Sequence, residues 1–364
     1  MSRFDQRRLE RVQELLTEDV EAGRLMGAAV QVSHEGQPEA PIVAGRRRLD
    51  AALSVEPDTI FLVASITKPI VAAAVVKLLE EGHLLLDDPV TRFVPEFGVN
   101  GKEDVVIRHL LTHTSGLPDQ IPENRDYREN KRPLSDFITR ICELPISFVP
   151  GTHISYQSCG IAMLGEICER VTEIDLATYL KTTIFDPLGL KDTALKLTDR
   201  STRESDVKIA GEGLTHGGSG TDFDWNSDYW RGFGAPWGGM LTTVEEMTRL
   251  LLLFRNGGAI DNQRILSARS AAMMVEDHTS TLPDLADTDR RGQRWGLGWR
   301  LSGRQAGMFG DLASPESFGH GGATGTLAWV DPAEDVTCVI FTNDPDAAGS
   351  LRGRISNLVL SALP

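Results

Sequence analysis

The stretch Val63-Ala64-Ser65-Ile66-Thr67-Lys68-Pro69 runs directly into the apolar series Ile70-Val71-Ala72-Ala73-Ala74-Val75-Val76. β-Branched and aromatic residues over 59–63 predict a strand, and the series that follows predicts a helix from about residue 65 to 81, closed by Gly82. Ser65 then stands at a strand-to-helix junction, with its hydroxyl at the positive end of the helix. Lys68 falls on the same helical face, close enough to share a proton with that hydroxyl. This is the arrangement of an activated serine. The same residues also read as a helix cap beside a solvated lysine, and Ser205 and Lys208 repeat the spacing, so partners elsewhere in the chain must decide.

Toward the N-terminus, residues 27–34 alternate apolar and polar side chains, Glu35-Gly36 makes a turn, and 41–45 completes a hairpin. Residues 1–22 carry Leu9, Val12, Leu15, Leu16 and Val20 at heptad-like spacing among charges, which predicts a surface helix and not a secretory signal. Beyond the serine helix the pattern changes. Helical segments dominate 84–195 (about 108–113, 134–144, 160–171 and 176–184), separated by turns bearing Pro and Gly. Residues 196–239 are rich in Gly, Ser, Thr and Asp and end in Trp225, Tyr229, Trp230, Phe233 and Trp237, either the rim of a pocket or ordinary loop packing. A helix over 244–256, an exposed charged loop over 284–294, strands at 295–301, 327–330 and 336–342, and a helix at 351–360 follow. The expected organisation is a sheet-bearing domain made of 1–83 and 196–364, with 84–195 as a helical insertion.

With 52 acidic against 37 basic residues, the 364-residue chain has a net charge of -15, which repels nucleic-acid backbones and anionic membrane surfaces. Its longest apolar run, 70–76, is far short of a membrane span, so a cytoplasmic protein is expected. Cys142, Cys159, Cys168 and Cys338 lack metal-ligand spacing and are expected as buried, reduced thiols. His109 and His113 are four apart, yet position 110 is Leu where a HExxH motif needs Glu, so neither metal nor cofactor is expected.

A serine nucleophile needs a base that can be neutral near pH 7 and donors for the oxyanion. Tyr156, in Pro150-Gly151-Thr152-His153-Ile154-Ser155-Tyr156-Gln157-Ser158, follows a turn and precedes a helix. It reads as a core ring, or as a base whose pKa the neighbouring Lys68 charge lowers toward a phenolate. Phe318-Gly319-His320-Gly321-Gly322-Ala323-Thr324-Gly325 precedes the 327–330 strand, with small residues that let a substrate approach the backbone. A rival, Thr215-His216-Gly217-Gly218-Ser219-Gly220, lacks a following apolar strand and reads as a loop.

In this order the three clusters resemble the serine β-lactamase and penicillin-binding-protein-like superfamily, and within it the class C-type β-lactamases with their esterase, DD-peptidase and D-aminopeptidase relatives, which carry tyrosine in the second motif. Leu110-Leu111-Thr112-His113-Thr114-Ser115-Gly116-Leu117, residues 160–166 and Gly238-Gly239-Met240-Leu241-Thr242-Thr243 look like that branch too, and the resemblance covers roughly residues 20 to 360. It implies an α+β, β-lactamase/transpeptidase-like fold: an antiparallel sheet flanked by helices, with an inserted helical domain. It implies Ser65 as the acylated nucleophile, Lys68 and Tyr156 as shared general base, His320 as the third-motif catalytic position, and the backbone N–H groups of Ser65 and Ala323 as the oxyanion hole. Ser158, Gly321, Gly322, Trp225 and Trp237 are the expected substrate-binding residues. Two positions depart from the β-lactamases: Ser158 stands where they have Asn, and His320, mostly neutral at pH 7, where they have Lys. The expected activity is hydrolysis of short acyl esters, with weak or no β-lactam turnover. D-aminopeptidase, DD-peptidase or β-lactamase work is the alternative, and a non-catalytic binding or sensor module of the same fold is the reading from another class. The expected partner is a small ester, amide or peptide, not nucleic acid or a membrane.

Overall fold

The computed structural model describes residues 4–50, 52–199, 201–208, 223–303 and 307–364. Its main sheet is antiparallel. Gly27–His34 pairs along one edge with Gln37–Pro38 and Ile42–Gly45 and along the other with Val336–Thr342. The sheet then continues through Leu327–Asp331, Phe318–Gly321, Arg300–Leu301 and Arg294–Trp295. Glu35 and Gly36 turn the first hairpin with φ of 51° and 72°, the left-handed values that suit a tight turn between twisted strands. The register Ala28↔Thr342 to His34↔Val336 lays the first long strand beside the last.

Alternation along these strands separates two apolar faces. Ala28, Val30, Val32, Trp329 and Ile340 pack in one cluster beneath the helices Gln6–Glu21 and Ala348–Ser361. Ala29, Ala328, Val339 and Phe341 point the other way, into a cluster that takes in Val244–Arg255 and Thr67–Glu80. Because both faces are covered, every residue of Val336–Thr342 is buried, and its threonines find partners: Thr337 Oγ1 lies 2.7 Å from Ser33 Oγ, and Thr342 Oγ1 donates to Gly325 O at 3.0 Å.

Residues 84–195 are helical: Ile107–Leu111, Asn124–Glu129, Leu134–Glu143, Cys159–Thr172 and Leu176–Leu180, the last continued by a π turn, Lys181–Phe185. Cys159–Thr172 lies against Thr67–Glu80, and Ile161, Leu164, Ala73 and Val76 belong to the same apolar cluster as Phe341 of the sheet. All four cysteines are buried, unpaired thiols. Among the described residues no helix is long and apolar enough to cross a membrane.

Five local expectations are corrected. The strand expected at 59–63 shrinks to Phe61–Leu62 and pairs with Leu241–Thr242 outside the main sheet, because its backbone is shared among several neighbours: Ile60 N donates to Arg203 O and Val63 N to Met240 O. The strand expected at 295–301 is a hairpin, folded at Gly296 to Trp299. Gly298 has φ of 81°, and a Cβ there would lie 2.6 Å from Ala72 Cβ on the serine helix, so only glycine lets the tip seat. The charged loop at 284–294 holds a short helix, Asp287–Gly292, and the irregular stretch ending at 239 holds another, Asp228–Phe233, capped by Ser227. The helix expected at 108–113 stops at Leu111, since His113 turns left-handed at φ 61°.

Candidate active site

Ser65 occupies a single 3-10 turn, Ala64–Ile66, that runs straight into Thr67–Glu80. The turn is entered through Ala64 at φ 47°, a conformation that costs a residue with a Cβ roughly 1–2 kcal/mol and that the packing must hold in place. The chain thereby reverses between buried Val63 and half-buried Ser65. Thr67 braces the turn, its Oγ1 donating to Ala64 O at 2.7 Å and accepting from Met240 N at 3.1 Å.

One helical turn on, Lys68 has no exposure to solvent. Its Nζ lies 3.0 Å from Ser65 Oγ and 2.9 Å from Trp237 O. Burial pulls its pKa down to about 7, against the opposing influence of the Asp119 carboxylate. At neutral pH much of the population is thus a neutral amine with a lone pair beside the serine hydroxyl. The competing pair is separated: Lys208 binds Asp344 at 2.7 Å, while Ser205 Oγ accepts from Asn343 Nδ2 at 2.9 Å.

Tyr156 comes to the same place from the segment before Cys159–Thr172. Ser155 N donates to His113 O at 2.9 Å and Gln157 N to His113 Nδ1 at 3.2 Å, so His113 holds the segment on both sides of the tyrosine. The Tyr156 ring lies 4.7 Å from Lys68 Nζ and 4.7 Å from the His113 ring, with Trp295 and His320 at 5.9 Å each. Burial raises the Tyr156 pKa well above the usual phenol value, only partly offset by a hydrogen bond with Ser65. The expected phenolate is therefore corrected: the same burial disfavours the charged form of both groups, raising the Tyr156 pKa and removing from Lys68 the charge that would have lowered it. Tyr156 is a phenol that can pass a proton.

His320 is buried on Phe318–Gly321, a strand lying against the Ala64–Ile66 turn. Its Nδ1–H donates to Gly321 O at 2.7 Å, leaving Nε2 buried without a hydrogen-bond partner. Burial, then the Lys68 charge, lowers its pKa to about 3, so it offers a neutral acceptor and no cation. The residues after it are stitched to the approach to the serine: Thr324 Oγ1 donates to Leu62 O at 2.7 Å and Thr326 Oγ1 to Val63 O at 2.9 Å. A Cβ on Gly322 would lie 2.2 Å from Val63 O, so the room beside this glycine is taken by the chain itself. Gly325 N donates to Gly322 O at 3.1 Å, closing a turn with Ala323 exposed at its tip. At Gly321, by contrast, a Cβ would meet only side chains, Arg352 Nη1 at 3.1 Å and Met308 Sδ at 3.4 Å.

Trp237 reaches the site and Trp225 does not. Trp237 gives its carbonyl to Lys68 and its ring to Phe137 and Phe233, at 6.1 and 6.0 Å. Trp225 is 5% exposed among Ile60, Leu62 and Leu241, a core position with no face left for a substrate. Ser158 lines a narrow slot of about 10 Å³, room for a single water, with Ile121, Phe137, Ile141 and Trp237, and its hydroxyl donates to Asp119 Oδ1 at 2.7 Å. Asp119, Ala64 and His113 were not legible as site residues; the family-like stretch ending at Leu117 stops just short of Asp119 and was the available signal. His216 and its glycine-rich neighbours lie outside the described residues.

Residues 12–362 match the Beta-lactamase family. The chain belongs to that family of serine hydrolases. Beta-lactamase family relatives include a Salmonella heidelberg protein with the provisional name D-alanyl-D-alanine carboxypeptidase, 29% identical over 296 residues. That match takes in 75% of this chain, and the chain spans 66% of the relative's length. Among solved structures, a penicillin-binding protein homologue from Caulobacter crescentus superposes with a TM-score of 0.81 at 22% identity, covering 98% of each chain. EstCE1, described as a hydrolase with promiscuous acyltransferase activity, gives 0.79 at 22% identity over 98% of this chain and 99% of its own. These likenesses establish the β-lactamase/transpeptidase-like fold with its antiparallel sheet and flanking helices.

Proposed function

We propose that the protein hydrolyses short acyl esters through an acyl-enzyme on Ser65. The observation that carries this reading is the contact between Ser65 Oγ and a lysine whose pKa burial lowers to about 7. Neutral Lys68 takes the Ser65 proton as Oγ adds to the substrate carbonyl. The N–H groups of Ser65 and Ala323 receive the developing oxyanion. Collapse expels the alcohol, protonated by Tyr156, whose own proton is replaced from Lys68. Water then gives up a proton to Lys68 as it attacks the ester on Ser65, and that proton returns to Ser65 Oγ as the acid leaves.

Esters fit this site better than penicillins on two counts. His320 is neutral and presents no fixed charge to a β-lactam carboxylate, and Ser158 spends its hydroxyl on Asp119. Peptidase work on D-amino-acid peptides is the second reading, favoured by the name of the Salmonella relative.

The test is mass spectrometry after exposure to a fluorophosphonate, with p-nitrophenyl acetate and butyrate, a D-alanyl peptide and a chromogenic cephalosporin assayed in parallel. An adduct on Ser65 and loss of ester turnover in Ser65→Ala are expected. Wild-type turnover in Ser65→Ala would overturn the reading, and a peptide hydrolysed faster than either ester would favour the second one. Binding of ligand without any turnover would point to a sensor module.

A further inference from the structure

Resting on the acyl-enzyme reading above, we infer that His113 is the positioning residue for Tyr156: it holds the phenol where it can protonate a departing alcohol, and so decides which leaving groups the enzyme can expel. His113 is fully buried and grips the tyrosine segment twice. Its carbonyl accepts from Ser155 N at 2.9 Å and its Nδ1 from Gln157 N at 3.2 Å. Neither bond is made to Tyr156, so the residue between them is set by its neighbours while its own ring is left for the site. That ring lies 4.7 Å from Lys68 Nζ, which is 3.0 Å from Ser65 Oγ. The backbone of His113 stands at φ 61°, a left-handed conformation that Asn, Asp and His adopt more readily than other side chains.

The hydrogen bonds also fix the tautomer. Gln157 N–H can donate only to a bare Nδ1, so the neutral ring carries its proton on Nε2, which is buried with no hydrogen-bond partner among the described residues. The imidazole lies instead against Trp295, edge to face at 4.3 Å, and Tyr156 at 4.7 Å. Burial, with the Lys68 charge next, keeps the ring well below its usual pKa, so the bare nitrogen persists at neutral pH. An unpartnered donor in the core costs stability, which points to the other nitrogen as the reason for an imidazole here. In acylation the Tyr156 O–H bond breaks as the alcohol O–H bond forms and the ester C–O bond opens; the Lys68 ammonium then returns a proton to the phenolate. Ethoxide needs that proton to leave, whereas p-nitrophenolate, a weak base, does not. A phenol displaced by about 1 Å therefore loses the first kind of substrate far more than the second.

The experiment compares kcat/KM for ethyl butyrate and p-nitrophenyl butyrate. It uses the full chain as wild type, Tyr156→Phe, His113→Phe, His113→Asn, Tyr156→Phe combined with His113→Phe, and Ser65→Ala. Tyr156→Phe is expected to lose about 10²–10⁴ on the ethyl ester and far less on the nitrophenyl ester. His113→Phe keeps a ring against Trp295 but removes the acceptor, and is expected to move the same ratio in the same direction by about 10–100-fold. His113→Asn puts Oδ1 where Nδ1 stood and is expected to restore most of the ratio. Once the Tyr156 hydroxyl is gone, the His113 change is expected to add nothing to the ratio. Both esters falling together in His113→Phe, an asparagine variant no better than the phenylalanine one, or a His113 effect that persists in the double variant overturns the inference. So does, with no variant needed, a wild-type imidazole nitrogen NMR spectrum at pH 7 in which His113 carries a proton on Nδ1. If Ser65→Ala is dead and Tyr156→Phe moves the ratio while His113→Phe does not, only the role of His113 is lost. If Ser65→Ala still turns over, the acyl-enzyme reading is lost as well.

Discussion

Lys68 is an amine kept out of water, and its chemistry follows from that position. With its pKa drawn down to about 7, it is protonated and useless as a base below that pH and free to accept the Ser65 proton above it. The acid limb of kcat/KM for a neutral ester is therefore expected near pH 7, falling about tenfold per unit below it, as a titration from pH 5 to 9 would show. Lys68→Arg, which cannot deprotonate, is expected to lose about 10²–10⁴ in kcat. His320, at about 3, titrates far below this limb, so His320→Asn should leave the limb where it is even if the rate changes. A limb that moved with His320 would reassign the base. Gly322 is a different kind of residue. Its Cα faces the Val63 carbonyl, so Gly322→Ala forces main chain apart and is expected to cost about 1–3 kcal/mol in urea unfolding, with a loss of activity.

Among the elements, the turn holding Ser65 and the turn holding Ala323 behave as one part. Thr324 and Thr326 sit in the second and bond to Leu62 and Val63, the residues that lead into the first. Valine at either position keeps the shape and removes the donor, leaving a buried carbonyl short of a partner. Thr324→Val and Thr326→Val are each expected to cost about 1–2 kcal/mol in denaturant melts, and to lower kcat more than they raise KM, since what slips is the placing of Ser65 against the Ala323 N–H. Sequence periodicity found most elements here, among them Val336–Thr342 to the residue. It misread 295–301 because Trp295, Leu297, Trp299 and Leu301 alternate as a strand should. Only the close approach of Gly298 to Ala72 on another helix shows why the chain folds back there.

At the scale of the molecule, one apolar cluster runs from Ala29 and Phe341 of the sheet through Val75 of the serine helix to Ile107, Ile138 and Ile161 of the helical stretch. A boundary drawn at 83 and 196 divides the chain by element type, and the core crosses it. Calorimetry is accordingly expected to give a single cooperative transition. Phe341→Ala, which empties a fully buried position beside the Phe61 ring, is expected to lower that transition by about 3–5 kcal/mol of stability without splitting it; two separate peaks would mean that the helical stretch folds independently. The serine and its lysine were legible because they sit on one helix, where spacing alone dictates proximity. So was the division into hairpin, helical stretch and closing strands, because apolar periodicity is a local property. The ionisation states were not, since Lys68 and Tyr156 take theirs from burial supplied by His113, Trp237 and Trp295, residues distant in sequence. Ser65-Ile66-Thr67-Lys68 and Ser205 to Lys208 carry the same pattern. Tertiary structure alone gave the first a dry pocket with Tyr156 above it, and spent the second on Asn343 and Asp344.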